Sequence, residues 1–433
     1  MSKINKTKLK PYSRSVSIIG VGCTPFMNTL DNPETAGLTE GELFGYAAVE
    51  AMKDAGISPQ DVDFYFHGEA CPLNASNYIT PNIQVANWFG MRGKGSIHHS
   101  EACCTGYLAL EQAVNAVASG KYDVVLSGCV EFGDAISLPD KPAHIRRKFP
   151  MEEFLQTTHW IYDKAYTIPM GAGPVTNFDD AAEWYARKHG LTKEEIDDTL
   201  NHMALNNRYN ALKNPLALVR KDFEEMAKEA GYDDVMDFMR DDKCNPKMGE
   251  YLRLFGTEDK CDGAAAVIVC ATEVAHKYTK NKPIEVLGIG SAALESSNHN
   301  VEINATIEAV RQVYELTGIK PEEIDLLYAN DFMITSHLIS AEIAGYLPEG
   351  EGWKYICEGR TRYDGDKPIN TNGGRTSFGH AHAASGLADL YEAVKQMRGL
   401  CGERQVKKQP KTTLLRGFGG SQNVTAAIIR ALD

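Results

Sequence analysis

Two stretches of the sequence carry side chains able to do covalent chemistry together. The first, His98-His99-Ser100-Glu101-Ala102-Cys103-Cys104-Thr105-Gly106, leads into an alanine-rich pattern of helical spacing that runs to about Ser119. A cysteine just before a helix start meets the positive end of the helix dipole and unbonded backbone N–H groups, which lower its pKa and favour the thiolate. That suits a nucleophile. The competing reading is that paired cysteines beside small residues simply allow close helix packing. The second stretch runs from Asn370-Thr371-Asn372-Gly373-Gly374 through Arg375 to Gly379-His380-Ala381-His382-Ala383-Ala384-Ser385-Gly386, and a helical pattern follows again. A neutral imidazole can take a thiol proton, and the pair needs less pKa matching than serine and histidine because the thiol is already more acidic.

The elements that must bring these stretches together come from an internal repeat. Ala47–Asp63 and Ala309–Asp325 are both amphipathic helices ended by glycine, followed by a proline turn and entry to a strand. Gly318, Ile319, Pro321 and Asp325 are each displaced by 262 from Gly56, Ile57, Pro59 and Asp63. Four matches in register indicate a duplication. Residues 103–114 and 383–394 correspond at a displacement of 280, which implies roughly 18 added residues in the second half around Gly350 to Asp366. If the halves are related by a pseudo-twofold axis, equivalent helix starts meet at the junction and Cys103 faces His380.

Each half reads as strand, helix, strand, helix, strand, so the expected architecture is α/β, a mostly parallel sheet covered by helices and built twice. Residues 134–254 interrupt the first half with helical spacing rich in Lys, Glu, Met and aromatic residues, and the apolar strand Ala264–Cys270 then completes its sheet. The expected units are therefore 1–133 completed by 255–275, an inserted helical domain 134–254, and 276–433.

Composition bounds what such a molecule does. A chain of 433 residues with 43% hydrophobic and 24% charged residues is an ordinary globular protein. A formal net charge of −13 argues against general nucleic-acid binding, which needs clustered cations. No run of about 18 apolar residues suggests a membrane span, and the basic tail Lys3, Lys6, Lys8, Lys10, Arg14 lacks the apolar stretch of an export signal. Ten cysteines without a C-x-x-C pair fit a reducing cytoplasm better than a disulfide framework or a zinc ribbon.

The motifs together resemble the thiolase superfamily, especially thiolases of the sterol-carrier-protein-x type, over nearly the full length. Cys103, Thr105 and Gly106 match the family's Asn-Cys-Ala-Thr-Gly pattern, which assigns Cys103 rather than Cys104 as nucleophile. Asn370 to His380 is similar to its Asn-Pro-Ser-Gly-Gly segment ending in Gly-His-Pro, with Ala381 where proline is usual. Lys260 to Ala266 resembles its Asp-Gly-Ala-Ala-Ala strand entry, and Ala211 to Ala217 its Ala-x-x-Asn-Pro-x-Ala element. The resemblance implies a five-layered αβαβα fold. It also implies that Asn330 positions an oxyanion-hole water shared with His380, and that the backbone N–H groups of Gly419 and Cys103 form a second oxyanion hole. Coenzyme A enters as co-substrate, with no tightly bound cofactor and no metal. A homodimer and a small zinc-ribbon/OB-fold partner subunit are the implied partners.

Two departures matter. The family's second, acid/base cysteine falls on Gly417, and the alternative site used by sterol-carrier-type relatives falls on Phe332, which leaves His382, Glu69 and Cys71 as substitutes. Arg375 stands where an apolar residue is common, and a guanidinium there suits a substrate carboxylate, with Arg360 and Arg362 as additions to that site or to a coenzyme A phosphate site. The expected reaction is thiolytic cleavage of a 3-oxoacyl-CoA through an acyl-Cys103 thioester, on a carboxylate-bearing or aromatic substrate such as benzoylsuccinyl-CoA. A hydroxymethylglutaryl-CoA-synthase-like condensation, with Glu69 as acid/base, and a non-catalytic lipid-binding or scaffold protein are the alternatives.

Overall fold

The computed structural model describes residues 6–70, 80–132, 174–293, 301–420 and 423–432. The residues that repeat in the sequence each have a structural duty that is performed twice. Helix α1 (Glu40–Ala55) ends on Gly56, whose φ of 76° places it in the left-handed region that closes helices, and its later counterpart ends beside Gly318 at φ 69°. Pro59 and Pro321 each open a single 3-10 turn. Asp63 then accepts hydrogen bonds from the backbone of Asp123 and Val124, and Asp325 does the same for Lys411 and Thr412. Each aspartate thereby fixes where a neighbouring strand begins.

Among the described residues nine strands form one continuous sheet: β1 (Val16–Cys23), β2 (Phe64–Gly68), β3 (Gly95–His99), β4 (Val124–Phe132), β5 (Asp262–Ala271), β6 (Ile284–Ala293), β7 (Leu326–Ala329), β8 (Thr412–Gly419) and β9 (Asn423–Ala431). Their order is β3-β2-β4-β5-β1-β6-β9-β8-β7, so the two halves join where β1 pairs with β6. Among the described residues the second half has no full counterpart to β3; Ile369 alone bridges Leu327 in parallel. Helix Gly352–Cys357 and the turns up to Asp366 occupy the chain just before that bridge.

The sheet is mixed, which corrects the expectation of a mostly parallel one. β2 runs parallel to β3 and β4, and β7 to β8, whereas β5, β1, β6 and β9 all pair antiparallel with their neighbours. Only three residues separate β8 from β9, far fewer than the crossover a parallel pair requires.

The other helices used below are α2 (Pro81–Val85), α3 (Thr105–Ala118), α4 (Pro174–His189), α5 (Lys193–Leu212), α6 (Phe223–Glu229), α7 (Val235–Arg240), α8 (Ala275–Tyr278), α9 (Val301–Thr317), α10 (Thr335–Ile343), α11 (Gly352–Cys357) and α12 (His382–Met397). α1 shares an apolar cluster with the outer face of the first half-sheet, and α9 and α10 share one with the outer face of the second. α3 and α12 lie between the halves, in a third cluster that takes side chains from both. The layers are therefore helix, sheet, helix, sheet, helix. The approach of α3 and α12 is close enough that a Cβ on Gly106 would lie 2.8 Å from the carbonyl oxygen of Ala383. Small residues at both helix starts thus let the two chemistry-bearing loops meet at the molecular centre.

Candidate active site

The nucleophile loop is a tight turn held from within. Ala102 sits at φ 48°, a left-handed conformation that costs a non-glycine residue about 1 kcal/mol. Thr105 secures it: its hydroxyl accepts from the Glu101 amide (2.8 Å) and donates to the Ala102 carbonyl (2.6 Å). The turn sends the two cysteines in opposite directions. Cys104 is fully buried, its thiol bonded to the Asn423 carbonyl at 3.3 Å, and burial pushes its pKa up to about 11. Cys103 is partly exposed, and its Sγ lies 3.2 Å from Nε2 of His380.

The histidine is fixed from the other side. Its Nδ1 meets the Ser385 hydroxyl at 3.0 Å, and that hydroxyl also reaches the Ala381 carbonyl. Ser385 is displaced by 280 from Thr105, so the duplicated helix start supplies a hydroxyl to each loop. The His380 backbone donates to the Asp259 carbonyl (2.7 Å) and accepts from the Cys261 amide (3.3 Å), and the Asp259 amide donates to the Arg375 carbonyl (3.1 Å). Burial pushes the His380 pKa well below its usual value, with His382, Arg375 and Lys260 adding to the effect. A neutral ring with Nε2 toward the thiol is what a general base requires.

These backbone bonds lay the segment before β5 alongside the histidine and deliver a residue that sequence reasoning missed. Glu258 places Oε2 3.4 Å from His380 Nε2 and Oε1 4.0 Å from His382 Nε2. Burial raises its carboxyl to about 7, against the pull of Lys260 and Arg375. His382 packs edge-on to His380, and burial holds its pKa down to about 3, so it too is neutral. Cys103, His380 and His382 bring one donor atom each within 4.8 Å of one another.

The loop bearing His380 is supported by α5. Asn207 and Asn210 lie about one turn apart on this helix, and Asn214 follows just past its C-terminal end. Asn207 donates to Asp331 (2.6 Å) and Thr376 (2.9 Å), Asn210 to the carbonyls of Ile369 and Asn370, and Asn214 to the carbonyl of Asn372. Asp331 in turn accepts from the Arg375 amide. Gly374, at φ 62°, is required there, since a Cβ would fall 2.1 Å from an Asp331 oxygen.

Asn330 is buried at the end of β7. Its Nδ2 donates to the Phe418 carbonyl (3.0 Å) and its Oδ1 accepts from the Phe332 amide (3.1 Å). Gly419 ends β8 against the nucleophile loop, where a Cβ would lie 2.9 Å from the Glu101 carbonyl oxygen and 3.2 Å from the Cys104 amide. Arg375 does not face a substrate pocket, which corrects its assignment as a carboxylate binder. Its side chain is 1% exposed, and both terminal nitrogens donate to Asp389 at 2.8 and 2.6 Å. Asp389 also accepts from Tyr107 (2.7 Å) and Asn372 (2.9 Å), so the charge is neutralised inside the junction. Arg360 is engaged by Asp366 and stacks on Tyr355, while Arg362 donates to Asn206 and lies over Tyr209.

Of the three expected substitutes for the second cysteine, Cys71 lies outside the described residues. Glu69 is buried between His67 (2.9 Å) and His98 (3.7 Å). Burial alone would raise its carboxyl, but the histidines outweigh burial and pull it down to about 2, so it stays ionised and is no proton donor at neutral pH. His382 is in the cluster already described. Phe332 stacks on Phe418 and meets Phe178 edge-on in an apolar contact.

The chain matches the family described as "Thiolase, N-terminal domain" over residues 16–241 and "Thiolase C-terminal domain-like" over 291–431. It is 28% identical to an acetyl-CoA acetyltransferase of Methanothermobacter thermautotrophicus over 95% of this chain and 98% of that one. It is also 28% identical to the benzoylsuccinyl-CoA thiolase subunit BbsB of Thauera aromatica, over 94% and 95%. Human sterol carrier protein 2 is 28% identical over 95% of this chain and 71% of its own length. Among solved structures, the Ltp2-ChsH2(DUF35) aldolase superposes with a TM-score of 0.74 at 21% identity, covering 98% of this chain and 99% of that one. Human mitochondrial 3-ketoacyl-CoA thiolase does so with a TM-score of 0.67 at 18% identity, covering 97% and 100%.

Proposed function

Since the chain belongs to the thiolase family of acyltransferases, we propose that it cleaves 3-oxoacyl-CoA substrates with free coenzyme A through an acyl-Cys103 thioester. The observation that carries this reading is the 3.2 Å contact between His380 Nε2 and Cys103 Sγ. His380, neutral and oriented by Ser385, takes the thiol proton. The thiolate attacks the 3-oxo carbon, and the C2–C3 bond breaks to leave an acyl group on Cys103 and an enolate of the shortened acyl-CoA. The backbone amides of Cys103 and Gly419 are assigned to the tetrahedral oxyanion, and His380 with Asn330 to the thioester oxygen of the enolate. Coenzyme A then takes the acyl group and Cys103 recovers its proton from His380.

β3 is one of the two terminal strands of the sheet among the described residues and exposes Ile97, which supports self-association through that edge. A relative named as a subunit and a structural neighbour titled with a DUF35 partner support a small partner protein of the zinc-ribbon/OB-fold kind. Among the described residues no helix is long and apolar enough to cross a membrane, and a thiol nucleophile suits the cytoplasm.

The test is incubation of the protein with a panel of 3-oxoacyl-CoA compounds and free coenzyme A. The panel includes acetoacetyl-CoA and benzoylsuccinyl-CoA, the latter named for the relative from Thauera aromatica. Two shorter acyl-CoA products, and an acyl mass increment on Cys103, are expected. No increment with any member of the panel would overturn the reading.

A further inference from the structure

We propose that Glu258 carries the proton to and from the α-carbon of the acyl-CoA, a role that a cysteine fills at neither position 417 nor position 332. The inference rests on the acyl-Cys103 reading above and specifies who moves the second proton in it. Cleavage produces a carbanion at C2 that must be protonated, and His380 cannot serve, because the proton it holds is the one removed from Cys103. A second acid is needed within reach of the same sulfur.

The two positions where relatives of this family carry a second cysteine are closed. At 417 the residue is glycine, and a Cβ there would lie 2.2 Å from Cδ2 of Tyr107. The Tyr107 hydroxyl is itself committed to Asp389 at 2.7 Å and its side chain is buried, so it is not a substitute donor. At 332 the phenylalanine is engaged with Phe178 and Phe418.

Among the described residues Glu258 is the carboxyl that converges on the cluster. Its Oε2 and the Cys103 sulfur both lie against Nε2 of His380, at 3.4 and 3.2 Å, so carboxyl, imidazole and thiol share one corner of the site. Its position is set by the main chain, through the Asp259 carbonyl to the His380 amide and the Ile334 amide to the Gly256 carbonyl. The groups facing it are His380, His382, Lys260 at 3.9 Å, Asp259 and Arg375. Burial brings its carboxyl to about 7, where acid and base forms are both populated at neutral pH, the condition for a group that must give a proton in one step and take one in the next.

The steps balance. When C2–C3 breaks, the Glu258 carboxylic acid gives its proton to C2 and becomes a carboxylate as the shortened acyl-CoA leaves. The carboxylate then takes the proton of the incoming coenzyme A thiol, whose sulfur attacks the acyl-Cys103 carbonyl. Cys103 leaves as thiolate and is reprotonated by the imidazolium of His380. Each group ends in the form in which it began.

The test uses the full chain with acetyl-, propionyl- and succinyl-CoA in deuterium oxide, reading deuterium entry at C2 and acylation of Cys103 separately. Acylation reverses the deacylation step, and a departing coenzyme A thiolate depends far less on the Glu258 proton than a carbanion does, so Glu258→Gln should slow acylation by no more than about tenfold. Its C2 exchange should fall by about a hundredfold or more, the lower range for a lost general acid/base. Glu258→Asp, which keeps a carboxyl but withdraws it by one methylene, should show a smaller loss of the same kind, and it carries the test if the glutamine variant fails to fold. The proposal is overturned if exchange survives in Glu258→Gln, if exchange and acylation fall by the same factor, or if His382→Ala alone shows the exchange-specific loss. If wild type acylates with none of the three nor with any member of the 3-oxoacyl panel, the acyl-Cys103 reading fails and this inference fails with it.

Discussion

Tyr107 occupies the space that a side chain at position 417 would need, its Cδ2 standing 2.2 Å from where a Cβ on Gly417 would be placed. The ring has nowhere to go, because its hydroxyl is fixed on Asp389 and its face packs against Gly386. Gly417→Cys should therefore not install a working acid/base. It should destabilise the protein by about 1–3 kcal/mol, the usual cost of overpacking a core, and lower turnover. Thermal unfolding together with a thiolysis assay checks this, and a gain in turnover would mean that Tyr107 yields more easily than its contacts indicate.

The two adjacent cysteines should separate cleanly. Cys103→Ser is expected to abolish thiolysis with native-like circular dichroism, because the hydroxyl lacks the acidity that His380 relies on. Cys104→Ala should keep most turnover but lose about 1 kcal/mol of stability, since it leaves a small gap where the thiol reached the Asn423 carbonyl. Loss of turnover in both, with both folded, would mean that Cys104 also takes part in the chemistry.

Much of this arrangement was legible because the duplication left identical residues at fixed displacement. Gly56 and Gly318 close helices, and Asp63 and Asp325 set strand starts, so local backbone chemistry preserved them in register. The same logic would have found Ser385 as the twin of Thr105. Strand direction was less legible, since apolar runs such as Ala264–Cys270 do not encode the sense of pairing. The buried asparagine face of α5 was hidden for another reason: asparagine is usually a surface or turn residue, and only tertiary packing shows that Asn207 and Asn210 bond the loop of His380. Glu258 carried no motif. A carboxylate four residues before Asp262 reads as ordinary loop polarity until the backbone bonds of Asp259 and Cys261 place it beside the histidine.

Arg375 provides a second stability test. It was expected at a substrate carboxylate, but its guanidinium grips Asp389 in a bidentate pair with both side chains 1% exposed. Arg375→Leu would strand the Asp389 carboxylate in the α3–α12 junction, and breaking such a pair typically costs about 3–5 kcal/mol. Urea unfolding should show that loss, and any fall in kcat/KM should be the same for neutral and carboxylate-bearing acyl chains. A selective loss on the carboxylate-bearing chain would restore the substrate role.

The pH dependence of stability offers a test of Glu258 independent of turnover. Its carboxyl is raised from 4.5 to about 7 on folding, mainly by burial. A raised carboxyl binds more protons in the folded state than in the unfolded state between those values. Its contribution is therefore fully present below pH 4.5 and is lost as pH rises through about 7. At 1.36 kcal/mol per unit, the full change is about 3 kcal/mol, an upper figure for a side chain that keeps 15% exposure. Glu258→Gln is neutral at every pH and removes this term, while the opposing contributions of His380 and His382, whose pKa values are depressed, stay in both proteins and largely cancel in the comparison. The variant should match wild type near pH 4 and exceed it by up to about 3 kcal/mol at pH 8, read as the midpoint of denaturant unfolding at each pH. A difference that does not change between pH 4 and pH 8 would mean that the Glu258 carboxyl titrates normally and is not held poised beside Cys103 and His380.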